Sequence, residues 1–298
     1  MPDYTPDFST FKSLADDHNL IPVYREISAD LETPVSAYLK TATGSHSFLF
    51  ESVEGGENVA RYSFLGTEPS EVLTTGSGTE LGEIDPLDLL REHMSSVKYA
   101  AVQGLPHFHG GAVGFLSYDT IRYFEPSVPP ISDEKSGLGV PESVFILTDS
   151  LLIFDHVRHT IFVVSHAAVS GDPRAAYERA TSKIEELISR LDRPVPPNKS
   201  RRNFLPPAGF VSRDPSLDYS SVGGSFDLAI EHGEATGQPY VPNMTREHYA
   251  EAIDKCKQAI EEGEVIQIVF SQRLARRTPV QPFDLYRSLR AINPSPYM

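Results

Sequence analysis

An α+β fold built on antiparallel sheets is the class this 298-residue sequence predicts, on three observations. Short apolar stretches run from residue 22 to residue 164 with polar turns, not helices, between them, which argues for antiparallel pairing over βαβ winding. One long amphipathic helix follows at about residues 173–193. A Pro/Ser/Gly-rich tract at 194–244 then separates these elements from a helix–strand–helix pattern at 245–298.

The strands are read in order. Residues 47–51 (Ser-Phe-Leu-Phe-Glu) and 61–66 (Arg-Tyr-Ser-Phe-Leu-Gly) flank a Gly-Gly-Glu-Asn turn at 55–58. Residues 111–116 form another strand, with the preceding glycines marking a strand packed closely on a neighbour. Residues 151–154 and 161–164 are two further strands, joined by a polar hairpin loop at 155–160. Asp172 is placed to cap the long helix, with Pro173 at its first turn. Tyr177, Ala180, Ile184, Leu187, Ile188 and Leu191 make its apolar stripe.

After the proline-rich tract, Tyr249, Ile253, Cys256 and Ile260 step along one face of a helix at 245–262 that Gly263 closes. Cys256 sits on that stripe and is read as a packing residue. Residues 264–274 alternate as a strand. Gln267 and Ser271 share one face with Val265 and Val269, where they either line a cavity or sit hydrogen-bonded in a core. A last helix at 282–292 presents Leu285, Leu289 and Ile292 as its buried edge, and Pro294 and Pro296 stop it. The organisation expected is therefore a domain at 1–193, a linker or surface excursion at 194–244, and the beginning of a second domain at 245–298.

Composition narrows function. Twenty-six basic against 41 acidic residues give a net charge of −15, which repels phosphate backbones and argues against nucleic-acid binding. One cysteine allows neither an intrachain disulfide nor a cysteine-built zinc site, and the expected compartment is the cytosol. No run of about 18 apolar residues is present, and the polar, acidic amino-terminal stretch lacks the pattern of a signal peptide. Phosphate-loop, dinucleotide and nucleophile-elbow motifs are absent from the sequence. His107 and His109 alternate on one face, a pattern that fits a solvated strand edge better than a metal seat. His156 and His159 fall in the hairpin loop as polar loop residues.

Two remote segments carry chemistry of a different kind. Glu51 and Ser52 end an apolar strand, and residues 293–298 (Asn-Pro-Ser-Pro-Tyr-Met) form a stiff, partly apolar terminus. A free amino acid needs acceptors for its ammonium, donors for its carboxylate and an apolar slot for its side chain. Glu51 can supply the first, Ser52 or backbone N–H groups the second, and Pro296, Tyr297 and Met298 the third.

Residues 50–52 (Phe-Glu-Ser), 61–66, 110–115 (Gly-Gly-Ala-Val-Gly-Phe) with Tyr118 and Asp119, 264–273 (Glu-Val-Ile-Gln-Ile-Val-Phe-Ser-Gln-Arg) and 293–298 resemble, in order, successive blocks of anthranilate synthase component I, a chorismate-utilising family. The resemblance covers most of the chain. It implies two orthogonal antiparallel sheets, a β-sandwich type, with helices packed outside. It implies chorismate as substrate, ammonia from a glutamine amidotransferase partner (component II), Mg²⁺ as cofactor, and anthranilate and pyruvate as products. It further implies feedback inhibition by L-tryptophan held by Glu51, Ser52, Pro296, Tyr297 and Met298. The family's Mg²⁺ ligands, chorismate clamp and catalytic histidine follow the block that ends here at Met298, so no catalytic residue or metal ligand is assigned. The expectation is that the carboxyl-terminal part of the fold is missing and that this chain has no synthase activity. The sister enzyme aminodeoxychorismate synthase component I, and a tryptophan-binding or subunit-docking module without catalysis, are the alternative readings.

Overall fold

The computed structural model describes residues 3–51, 61–128, 140–196, 240–276, 280–292 and 295–298. The chain divides into two units: Met1–Ser212 with Gln281–Met298, and Arg213–Val280. Residues 281–298 are thus part of the first unit, a different division from the contiguous one read from the sequence. The 55–58 turn and residues 197–239 of the proline-rich tract lie outside the described residues.

The first unit is organised around a hairpin. Strands β7 (Ser150–Asp155) and β8 (Thr160–Ala168) pair antiparallel in the middle of a five-stranded sheet. On one side β8 pairs with β1 (Leu20–Ser28). On the other β7 pairs with β3 (Tyr62–Thr67), which pairs with β2 (Ser47–Phe50). Both central strands are buried along almost their whole length, which is why they read as unbroken apolar runs and not as alternating ones. Asp155 fixes the hairpin between them: its Oδ1 accepts from the backbone N–H groups of Val157 and Arg158 at 3.0 and 3.1 Å. Arg61 holds the other side of that carboxylate at 2.7 Å.

Each face of this sheet has a cover. Helix α4 (Pro173–Leu191) lies over one face, with α1 (Phe8–Leu14) and α2 (Pro34–Thr41) beside it. Ala176, Ala180, Ile184, Leu187 and Leu191 form its buried stripe, packed on Leu152, Phe154, Ile161 and Val163. Asp172 caps the helix through Arg174 N–H at 3.0 Å, as its sequence predicts, and the helix ends two residues before the expected stop. On the other face Leu151, Ile153, Phe162 and Val164 meet Val113 and Ile146 of a three-stranded antiparallel sheet. That sheet comprises β4 (Glu71–Thr75), β6 (Ser143–Thr148) and β5 (Gly111–Leu116), with α3 (Pro86–Ser95) between β4 and β5 in the chain. Gly66 opposes Phe48 across the β2–β3 ladder, and the phenyl ring lies where a β-carbon would stand, 2.1 Å from it. The glycine therefore seats the ring over the strand.

The second unit holds helix α5 (Arg246–Glu261), capped by Thr245 and followed by Gly263 at φ +77°, the stop that the sequence predicts. Cys256 is half-buried on its apolar face. The strand expected at 264–274 is not formed. Among the described residues only a two-residue pair, β9 (Val241–Pro242) with β10 (Leu274–Ala275), closes here. A strand needs a hydrogen-bonding neighbour as well as an alternating pattern, and Ile266 is 99% exposed.

The helix α6 (Pro282–Ile292) forms with the predicted ends but faces the other way. Leu285, Leu289 and Ile292 are exposed, 47%, 50% and 81%. Phe283 packs instead into the main core, its ring stacked on Tyr38 at 4.7 Å, with Tyr286 and Arg290 following on the same face. Two periodicities coexist on this helix. The aromatic one wins because it finds both a ring to stack on and a carboxylate to pair with. Among the described residues no helix is long and apolar enough to cross a membrane.

Candidate effector site

Glu51 is the first residue after β2, so strand pairing fixes where its side chain emerges. It is 5% exposed. Its backbone N–H donates to Met298 O, and Met298 N–H donates to Glu51 O, each at 2.9 Å. This reciprocal pair is one rung of an antiparallel ladder between segments almost the whole chain apart. The two segments singled out from the sequence are therefore adjacent.

The carboxylate of Glu51 is heavily engaged. Arg290 Nη1 lies 2.7 and 2.6 Å from its two oxygens, and the Tyr286 hydroxyl donates to Oε2 at 2.6 Å. Burial, then the bond to Glu51, pushes the Tyr286 hydroxyl well above its ordinary range. A carboxylate has about four lone-pair directions, so three bonds leave little to offer an incoming ammonium group. Glu51 is in the position read for it, but its acceptor capacity goes mainly to the protein.

Tyr297 adopts φ +53° and sets its ring 6.1 Å from that of Phe64, which in turn meets Phe108 edge-on at 5.1 Å. The outer side of Tyr297 remains open, as it is about half exposed. Pro296 is exposed and Met298 half-buried. Ser52, with Asn293 and Pro294, lies outside the described residues. Gln267 and Ser271 are exposed residues of the second unit, on the segment without the expected strand.

A cavity of about 360 Å³ adjoins the Glu51 carboxylate, lined by Arg290, Asp155, His156, His159 and Thr33. Loop polarity does not describe His156 fully: the residue is exposed, but its Nε2 is 2.8 Å from Ser63 Oγ, and desolvation holds the ring below the ordinary imidazole range. Arg290, Tyr286, Phe64 and His156 were not among the site residues read from the sequence. The four-residue spacing of Tyr286 and Arg290 on α6 was a signal, masked by the stronger leucine stripe. Among the described residues no group of three or more His, Cys, Asp or Glu could hold a metal ion, so they do not fit a Mg²⁺ site.

A family model described as chorismate binding enzyme matches residues 45–298. The chain belongs to the chorismate binding enzyme family. The match begins just before β2 and includes both segments of the Glu51–Met298 pair. The chain is 40% identical to the probable anthranilate synthase component 1 of Schizosaccharomyces pombe, over 98% of this chain and 53% of that protein. It is 36% identical to anthranilate synthase component 1 of a Synechocystis species, over 99% of this chain and 56% of that protein. This member of the chorismate binding enzymes thus spans about half the length of the curated relatives it matches. The crystal structure of anthranilate synthase component I from Streptococcus pneumoniae TIGR4 matches with a TM-score of 0.56 and 24% identity, over 91% of this chain and 53% of that one. That likeness supports the antiparallel α+β fold.

Proposed function

We propose that this chain is the effector-binding part of an anthranilate synthase component I, and that L-tryptophan is the effector. The whole enzyme would convert chorismate and ammonia into anthranilate and pyruvate, with ammonia supplied by a glutamine amidotransferase subunit. The names of the relatives support this reading. The observation that carries the effector site is the two-way backbone pairing of Glu51 with Met298. It sets the terminal Pro-Tyr-Met segment beside the strand end that carries Glu51. The open side of the Tyr297 ring, backed by Phe64, offers an apolar surface suited to an indole. Backbone groups and Ser52 are the candidates for the amino-acid end, given the bonds Glu51 already makes.

Mg²⁺ would neutralise one carboxylate of chorismate in the reaction. The described residues do not supply its ligands, so the 298-residue polypeptide alone is expected to leave chorismate unchanged. Calorimetry with L-tryptophan, with L-alanine as control, tests the effector site. Saturable binding of L-tryptophan alone, weakened at least tenfold by Tyr297→Ala, is the expected result. Equal binding of both amino acids, or of neither, would refute it. Anthranilate fluorescence appearing with ammonia, Mg²⁺ and chorismate would refute the prediction of inactivity.

A further inference from the structure

A second cavity, of about 400 Å³, lies where the two sheets of the first unit meet α3 and the 97–111 segment. Its walls are mainly apolar: Leu20, Met94, Val97 and Leu147 contribute, with the rings of Tyr99, His109 and His166. The volume is within the range of about 300–1,000 Å³ typical of small-molecule pockets. The Glu51 cavity is lined by other residues.

Tyr99, His109, His166 and Asp149 form one connected set of polar groups on this cavity wall. His109 Nδ1 lies 2.6 Å from the Pro106 carbonyl oxygen, which can only accept, so that nitrogen carries the proton. His109 Nε2 then accepts from the Tyr99 hydroxyl, and the ring is satisfied on both sides. His166 stacks on His109, ring centres 5.9 Å apart and planes 10° from parallel. Its Nδ1 lies 3.3 Å from the Asp149 carbonyl oxygen and is protonated for the same reason. Its Nε2 is then a bare lone pair, with no bond recorded from any described residue. The side chain is nine-tenths buried, and burial holds it at about 4, neutral at physiological pH. Gly110 leaves the room the ring needs: a β-carbon there would stand 2.4 Å from His166 Cε1.

The Asp149 carboxyl, also on the wall, accepts from the Ser150 hydroxyl at 3.2 Å. Within this group the open positions, His166 Nε2 and the second Asp149 oxygen, are therefore acceptors, and one is on a carboxylate; His93 and His107 lie elsewhere on the wall. The Asp149 carboxylate disfavours an anion beside it. No three of the His and Asp groups are arranged to hold a metal. A ligand donor that reaches His166 Nε2 in this mainly apolar slot gains a hydrogen bond shielded from water. We propose that this cavity binds a small neutral aromatic molecule carrying an O–H or N–H donor, of the phenol or indole class, with His166 Nε2 as its hydrogen-bond acceptor. The aromatic ring lies among Leu20, Met94, Val97 and Leu147. The proposal does not depend on the tryptophan site above.

The test uses the full 298-residue chain with phenol and indole as probes and benzene as the donor-free control. Phenol is expected to bind roughly tenfold tighter than benzene, the size of one well-placed hydrogen bond, and to shift the His166 ring resonances in NMR spectra. His166→Phe keeps a flat ring and removes the acceptor, and is expected to abolish the preference for phenol. Met94→Trp changes a partly exposed helix position where folding is not at stake. It fills the cavity and is expected to abolish binding of every probe there. Equal binding of phenol and benzene, no binding at millimolar concentration, unmoved His166 resonances, or phenol binding undiminished by Met94→Trp would each overturn the proposal. If His166→Phe fails to fold, the resonance shift and Met94→Trp decide it.

Discussion

Arg290 holds both carboxylate oxygens of Glu51, at 2.6 and 2.7 Å, from a helix whose leucines face solvent. Removing one partner of a buried pair strands the other charge. Arg290 is about one-third exposed and Tyr286 would remain bonded, so the loss for Arg290→Gln is set at about 2–3 kcal/mol, below the full buried-pair range. Urea denaturation of the variant against the parent chain measures it.

The reversed face of α6 gives a second prediction. Phe283→Ala removes a ring stacked on Tyr38 and part of the main core, and should cost about 2–3 kcal/mol. Leu289→Ala on the exposed stripe should change stability by less than about 0.5 kcal/mol. Thermal melts of both variants decide which face is buried. A larger loss at Leu289 would restore the orientation read from the sequence.

Acid sensitivity follows from His166. Its folded value of about 4 lies below the ordinary 6.5 because burial disfavours the charged ring. The folded state therefore prefers the neutral form. Stability from this group is fully present above about pH 6.5 and is lost as pH falls toward 4. Between pH 7 and pH 5 the loss should be roughly 2 kcal/mol. Denaturation midpoints at the two pH values should converge in His166→Phe by that amount relative to the parent.

Close strand approach at β5 gives a fourth prediction. A β-carbon on Gly114 would lie 1.9 Å from the Val144 carbonyl oxygen, which is backbone and cannot rotate away. Gly114→Ala must therefore separate β5 from β6, at a cost of about 2–3 kcal/mol, the range for overpacked sites. Amide exchange should quicken across β5 before it does in the central β7–β8 hairpin.

By itself the sequence determined the local elements. The β7–β8 hairpin, the Asp172 cap, the Gly263 stop and the ends of α6 all rest on contacts within a few residues, and each formed as its local chemistry requires. Block order carried the family, and the two segments thought to share a site do pair through Glu51 and Met298. Tertiary structure decided what depends on partners remote in sequence. Residues 264–273 carry a strand pattern without a ladder, because alternation cannot supply a neighbouring strand. Leu285 and Leu289 carry a core pattern without burial, because helical periodicity does not say which face meets the sheet. The Glu51 carboxylate is held by Arg290 for the same reason: no spacing in the chain encodes a contact 239 residues long.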